Sequence, residues 1–320
     1  MSFKLTDSST PYNGILLLNK QRGITSHEAV MKIRNAIGQK RVGHTGTLDP
    51  QAEGLLVICI GSATKIVQYL SNFDKSYEAE IYLGKSSTTF DSEGEITGDM
   101  PKAAPDFSAE EFSDILDEFR GSFSQKVPAY SAVRVDGKRL YELARSGQAV
   151  KRPARLVTIT ELEVVSYNKP HLTIRVSCSK GTYIRTLADD IGNKLECGAY
   201  LSALKRTGVN GLLLENALTI DEVEKLHQSG KLKERLLSFR NMLNFSCIFV
   251  SDIFKEKVIS GANLTSSDIS GTDGSFSTGD RVLLKDQYGN ALAIGRAEID
   301  SSEISKTADS KIFTYSRVLN

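Results

Sequence analysis

The stretch Gly43-His44-Thr45-Gly46-Thr47-Leu48-Asp49-Pro50 places a carboxylate and an imidazole in a segment built from Gly, Thr and Pro. The apolar run Leu55-Leu56-Val57-Ile58-Cys59-Ile60 follows directly. A reactive group carried on a loop and steadied by a rigid strand is a common way to build an active site. Asp49 is the candidate reactive group, and His44 could reach the same cleft. Asp-Pro by itself is mostly a turn initiator, so the rest of the chain must decide what this loop does.

The flanking elements read clearly. Gly14 to Leu18 is a buried strand, and Thr25 with Glu28 forms a capping box for a helix whose stripe is Ala29, Ile33 and Ile37, stopped by Gly38. After the Gly43–Pro50 loop and the strand Leu55–Ile60, Gly61 and Ser62 lead into a helix carrying Ile66, Val67 and Leu70. Tyr77, Ala79, Ile81 and Leu83 alternate with polar residues, the pattern of a strand with one buried face. Lys85 to Pro105 is polar and reads as a long loop. Phe112, Ile115, Leu116 and Phe119 form a helical stripe, Asp136-Gly137 a tight hairpin, and Leu140 to Ser146 a short helix ended by Gly147. Leu156–Tyr167 and Leu172–Ser179 are paired strands, Tyr183 to Leu195 is a helix, and Leu201 to Val209 is a strand. Helices and strands mix irregularly, which favours α+β over a doubly wound sheet. A boundary falls near Phe245, giving a large domain over 1–245 and a small, mostly β module over 246–320.

Composition narrows the class. The 320 residues are 40% hydrophobic and 25% charged, as expected of a soluble protein of one large and one small domain. Met1 to Thr10 has no signal pattern, and no apolar run approaches membrane-spanning length. Four scattered cysteines and four scattered histidines argue against a structural zinc site and for reduced thiols in a cytoplasm. The net charge is only +1, but its distribution is uneven. Arg134 to Arg155 holds seven basic residues against Asp136 and Glu142. Such a run is usually a solvated face and becomes a phosphate-contact surface only with other support.

That support comes from an ordered set of words: Gly14-Ile15-Leu16-Leu17-Leu18-Asn19-Lys20, Gly43–Pro50, Lys75-Ser76-Tyr77-Glu78-Ala79, Tyr130-Ser131-Ala132, Leu140-Tyr141-Glu142-Leu143-Ala144-Arg145 and Gly181-Thr182-Tyr183-Ile184-Arg185. Together, over roughly 12–245, they resemble the TruB family, the bacterial tRNA pseudouridine-55 synthases. The resemblance implies the pseudouridine synthase fold, with a mixed, largely antiparallel sheet and flanking helices. It also implies isomerisation of one T-loop uridine of tRNA without metal or cofactor. Asp49 matches the family's catalytic aspartate, and Arg185 the arginine that pairs with it and fixes its rotamer. Tyr77 matches the tyrosine stacked on the target base, and His44 the histidine inserted where nucleotides flip out. Lys65, Tyr183 and Leu204 match pocket-lining positions. From pattern alone Tyr77 would be a core aromatic, Lys65 a helix-surface lysine, Tyr183 half-buried and Leu204 plain core.

Segment 124–155 resembles the family's thumb-like insertion, which clamps the T-arm and makes the basic run phosphate-facing. Lys126-Val127-Pro128 departs from the more usual pair of prolines. An intact thumb implies recognition of the tRNA elbow without guide RNA, by a protein that is monomeric by default. The tail resembles a PUA-type RNA-binding domain through Phe254–Leu264 and Gly279–Gly295. With eight basic and ten acidic residues from Ser246 onward, it is expected to add only modest, shape-dependent contact, so that its removal would leave turnover of a short T-arm hairpin intact. Two other functions compete. A non-catalytic tRNA-folding protein could use the same cleft but would not need Asp49, Tyr77 and Arg185 together. A glycosidase would want a second carboxylate, for which Glu53 and Asp91 are candidates that the sequence does not place. Neither Gly43–Pro50 nor Gly61–Lys65 fits the phosphate-loop pattern.

Overall fold

The computed structural model describes residues 12–98, 103–146, 152–240, 242–306 and 310–319. The polar start Met1–Thr10, the helix stop Gly147 and the basic Lys151 lie outside them.

A nine-stranded sheet carries the site. Its main path runs Gly14–Lys20, Glu53–Ile60, Ala199–Val209, Lys75–Leu83, His171–Cys178, Ala154–Asn168, Gly121–Lys126. Every pairing is antiparallel except that of Ala199–Val209 with Glu53–Ile60. Period-two alternation explains how the layers form. In Gly14–Lys20 and Glu53–Ile60, Leu16, Leu18, Leu56, Ile58 and Ile60 face the helix Ser26–Ile37. Ile15, Leu17, Leu55, Val57 and Cys59 face the opposite layer with Ile66 and Tyr69. Both faces are covered, which is why these strands read as unbroken apolar runs. Farther along the sheet, Ala79, Ile81 and Leu83 pack with Ile174, Val176, Leu187 and Ile191, and Phe112 and Leu116 close the same cluster.

Local signals act as their chemistry dictates. The Thr25–Glu28 capping box is present, and Gly38 stops the helix at φ 63°. Asp136 and Gly137 both take positive φ in a two-residue hairpin between Arg134–Val135 and Lys138–Arg139. Three readings shift. His44 ends a short strand, Val42–His44, paired with Ile58–Ile60, rather than sitting in a turn. The Lys85–Pro105 segment is not structureless, because Ser86–Ser87 pairs with Ile96–Thr97. The segment after Gly61 is a 3-10 helix, Gly61–Ile66, before one α-turn, Val67–Leu70. All four cysteines are buried free thiols, and burial pushes Cys59 up to about 12. No described helix is long and apolar enough to cross a membrane.

From Cys247 onward the chain forms a five-stranded sheet in the order Ile269–Asp273, Cys247–Val250, Arg281–Lys285, Ala291–Ala297, Phe313–Val318. It has its own core around Val250, Val282, Leu284 and Phe313. Its other face does not end in solvent: Leu283, Ala291, Ile294 and Leu319 belong to one buried cluster with Ile15, Leu55, Val57 and Tyr69. Arg281 lies over the Tyr69 ring, 5.0 Å from its centroid, and Arg240 donates to the Ala291 carbonyl. This shared core changes the expectation for truncation. Ending the chain after Phe245 would uncover apolar residues on the far side of the catalytic sheet, so we expect a lower melting temperature and loss of soluble yield rather than an intact hairpin-active fragment. Leu283→Ala should cost about 2–5 kcal/mol, read as a lower urea midpoint reported by probes in both sheets.

Candidate active site

Four structural elements converge on one cleft of 1090 Å³. The loop after Val42–His44 brings Asp49. The strands Lys75–Leu83 and Ala199–Val209 bring Tyr77 and Leu204, and the helix Ile184–Lys194, capped by Tyr183, brings Arg185. His44 lines the same cleft. Six of the seven residues expected at the site are therefore together. The seventh is not: Lys65 donates to the Val318 carbonyl at 2.9 Å, in a separate cleft shared with Arg41 and Arg317. The cause is the chain's path, because Gly61–Ile66 runs on the face of Glu53–Ile60 that receives the C-terminal module.

Arg185 organises the acidic side of the site. Its side chain is 8% exposed and sits in the first turn of a helix, where the dipole disfavours a cation. Three acceptors offset this. Nη1 donates to Asp91 Oδ2 at 2.9 Å, Nη2 donates to the Tyr130 carbonyl at 2.8 Å, and Nη2 lies 3.6 Å from Asp49 Oδ2. Asp91 is itself held by the Thr89 hydroxyl and the Glu93 amide. Asp91 is thus committed to Arg185, which it shares with Asp49, and Glu53 faces Lys205 at 3.9 Å on the sheet. Asp49 keeps 44% of its side chain exposed and is the member of the network open to a ligand.

The Asp49 loop is pinned from behind by groups the sequence analysis did not single out. Ser26 Oγ donates to the Leu48 carbonyl and accepts from the Leu48 amide, at 3.0 and 2.8 Å. Lys20, fully buried, donates to the carbonyls of Gln21, Ile24 and Pro50. Arg206 donates through Nε to the Leu55 carbonyl at 2.6 Å and through Nη2 to the Gly46 carbonyl at 3.1 Å. The available signal was a cation inside an apolar strand, at Lys20 and Arg206, since such a residue must find acceptors when buried.

The floor is electropositive. Burial lowers Lys20 to about 8, opposed by Asp49 and reinforced by Arg206. Burial, then Arg206, lowers Lys75 to about 8. His44 is lowered by burial and by Arg206. Burial pushes the Tyr77 phenol up, while the facing Arg206 guanidinium pulls it back.

Tyr183 forms part of the opposite wall. Its ring lies between the guanidinium groups of Arg155 and Arg185, 5.6 and 5.9 Å from its centroid, and its backbone is bracketed by buried Gln125. Of the basic run, Arg134, Lys138, Arg139 and Arg145 are exposed. Arg152 instead stacks over Phe90 and Arg155 over Tyr183.

Two stability experiments follow from this geometry. Asp91→Asn breaks a buried ion pair and should cost about 3–5 kcal/mol, whereas Asp49→Asn, half-exposed and 3.6 Å from Arg185, should leave the urea midpoint nearly unchanged. Burial holds Lys20 at about 8 in the folded chain, below the 10.5 of an ordinary lysine. Between these pH values the unfolded chain binds more protons, so this group makes stability rise with pH. The stability of the native chain relative to Lys20→Met should accordingly increase from pH 8 to 10.5 in paired urea titrations.

Comparison with known proteins places this geometry. Residues 34–184 match the model of the TruB family pseudouridylate synthase N-terminal domain, 185–244 the tRNA pseudouridylate synthase B C-terminal domain, and 247–318 the PUA domain. The chain is 43% identical over 292 residues to tRNA pseudouridine synthase B of Bacillus licheniformis, covering 88% of this chain and 92% of that protein. It is 42% identical over 288 residues to the Bacillus subtilis protein of the same name, with the same coverage. Among solved structures, a Cbf5-Nop10-Gar1 complex contains a chain superposing with a TM-score of 0.75 at 25% identity, over 96% of this chain and 85% of that one. The α+β fold, the Asp49 cleft and these relatives agree: the chain is an enzyme of the TruB family of pseudouridylate synthases.

Proposed function

We propose that this enzyme converts the uridine at position 55, in the T-loop of tRNA, to pseudouridine, acting on the tRNA elbow in the cytoplasm as a monomer without a guide RNA. The observation that carries the reading is the half-exposed Asp49 carboxylate, held 3.6 Å from buried Arg185 in a cleft also lined by Tyr77, Tyr183 and Leu204. The relatives named tRNA pseudouridine synthase B support tRNA as the substrate. The segment between Gly121–Lys126 and Ala154–Asn168 supports recognition of the T-arm by the protein itself, since its Arg145 lines the cleft with Tyr130 and Tyr141, and its Arg134, Lys138 and Arg139 are exposed.

The reaction requires a stacked base to leave its loop and enter the cleft, at a cost of a few kcal/mol in stacking. Tyr77 and Leu204 offer the base an aromatic and an aliphatic wall, and His44 can fill the space the nucleotide vacates. Asp49 then assists rupture of the C1′–N1 bond, as nucleophile or as electrostatic stabiliser of the sugar. The bond's electron pair departs with the base. The base turns, C5 bonds to C1′, the C5 hydrogen is lost as a proton and N1 takes one up, so atoms and charge balance. Arg185 fixes the carboxylate's orientation throughout.

The test is tritium release from tRNA labelled at uracil C5, with EDTA present. Wild type should release label, and Asp49→Asn should fall at least about 1,000-fold, the scale of losing a preorganised catalytic group, while still binding the tRNA in a filter assay. Absence of release from folded wild-type protein that still binds would favour the tRNA-folding reading instead.

A further inference from the structure

Arg206 is the largest fully buried side chain among the described residues and stands outside the catalytic set described above. A guanidinium removed from water costs several kcal/mol unless its hydrogen bonds are excellent. Its hydrogen-bond partners here are backbone carbonyls rather than a carboxylate, and it faces a phenol across the sheet. These groups belong to three separate pieces of the site. Nε holds the Leu55 carbonyl, at the start of the strand that follows the catalytic loop. Nη2 holds the Gly46 carbonyl, three residues before Asp49. Across the sheet Arg206 is the direct register partner of Tyr77, so its side chain shares a face with that ring, and its charge pulls the phenol down against the upward push of burial.

The neighbouring glycines fit this arrangement. A Cβ on Gly54 would lie 2.4 Å from the Arg206 carbonyl oxygen, so only glycine lets the two strands close here. Gly46 passes 3.7 Å from Nη1, measured from where its Cβ would be. A clamp on the loop alone could use one donor. A planar fork is suited to holding several acceptors at fixed relative positions, which a lysine cannot do.

We propose that Arg206 is a positioning residue of the isomerisation, setting the Tyr77 phenol against the Asp49 loop through one rigid guanidinium. The inference rests on the isomerase reading and deepens it. Arg206 acts on the substrate only through Tyr77 and the loop, so its loss should leave RNA affinity intact and slow the chemical steps.

The experiment compares wild type, Arg206→Lys, Tyr77→Phe and the double variant in single-turnover conversion of a T-arm hairpin, with hairpin Kd and melting temperature measured on each. Arg206→Lys is expected to keep Kd within about threefold and to lose about 100-fold in rate, the scale of a one-ångström misplacement. The double variant is expected to lose less than the product of the two single losses, because part of the Arg206 effect runs through Tyr77 and the rest through the loop. Independent, multiplying losses would overturn the proposal, as would a wild-type rate in Arg206→Lys. A variant that melts far below wild type or loses hairpin binding in parallel would make Arg206 structural and also overturn it. An inactive wild type would instead count against the isomerase reading itself, which the same assay separates.

Discussion

One buried guanidinium shared between two carboxylates sets the geometry of this site. Arg185 is placed by the helix that begins at Ile184, at the end where a cation is least favoured, and it survives there because Asp91, Asp49 and the Tyr130 carbonyl surround it. The division of labour between the acids follows from burial. Asp91, 11% exposed, makes the short contact and is tied down by Thr89 and the Glu93 amide. Asp49, 44% exposed, makes the longer one and stays open to a ligand. Because Tyr130 lies in the segment between Gly121–Lys126 and Ala154–Asn168, the same guanidinium ties that insertion to the Asp49 carboxylate.

Orientation of Asp49 also requires a stiff loop, and the loop has little regular structure of its own. It borrows rigidity from three neighbours: Ser26 on the helix below, Lys20 at the end of the first strand, and Arg206 across the sheet. Each offers a donor to a carbonyl of the loop, at Leu48, Pro50 and Gly46 respectively.

Much of this was legible in the chain. Period-two alternation in Tyr77 to Leu83, the Thr25–Glu28 capping box and the Asp136-Gly137 turn are local signals, and local physics decides them. The cleft residues Asp49, Tyr77 and Arg185 were visible only as a set of words, since each alone has a blander use. What stayed hidden depends on contacts between distant parts of the chain. Asp91 gains its role from Arg185, 94 residues later, and Arg206 from Gly46, 160 residues earlier. Lys65 was misplaced for the same reason: its helix position was readable, but not which face of the sheet that helix covers. The unbroken runs Val282-Leu283-Leu284 and Ala291-Leu292-Ala293-Ile294 signalled two covered faces, but not that the second would be covered by the larger sheet.

The three cations beneath the loop show why residue type matters at fixed charge. Lys20 and Lys75 are compact ammonium groups that gather carbonyls around a point, and burial brings both to about 8. Either can shed its charge within a working pH range and still donate hydrogen bonds. Arg206 cannot, because a guanidinium stays protonated in proteins, and its donors lie in one plane. The permanent charge therefore stands where three elements must keep a fixed distance, and the two releasable charges stand where only a carbonyl cluster needs a donor. A floor of three lysines would have no rigid fork to hold the Leu55 and Gly46 carbonyls at fixed relative positions beside Tyr77.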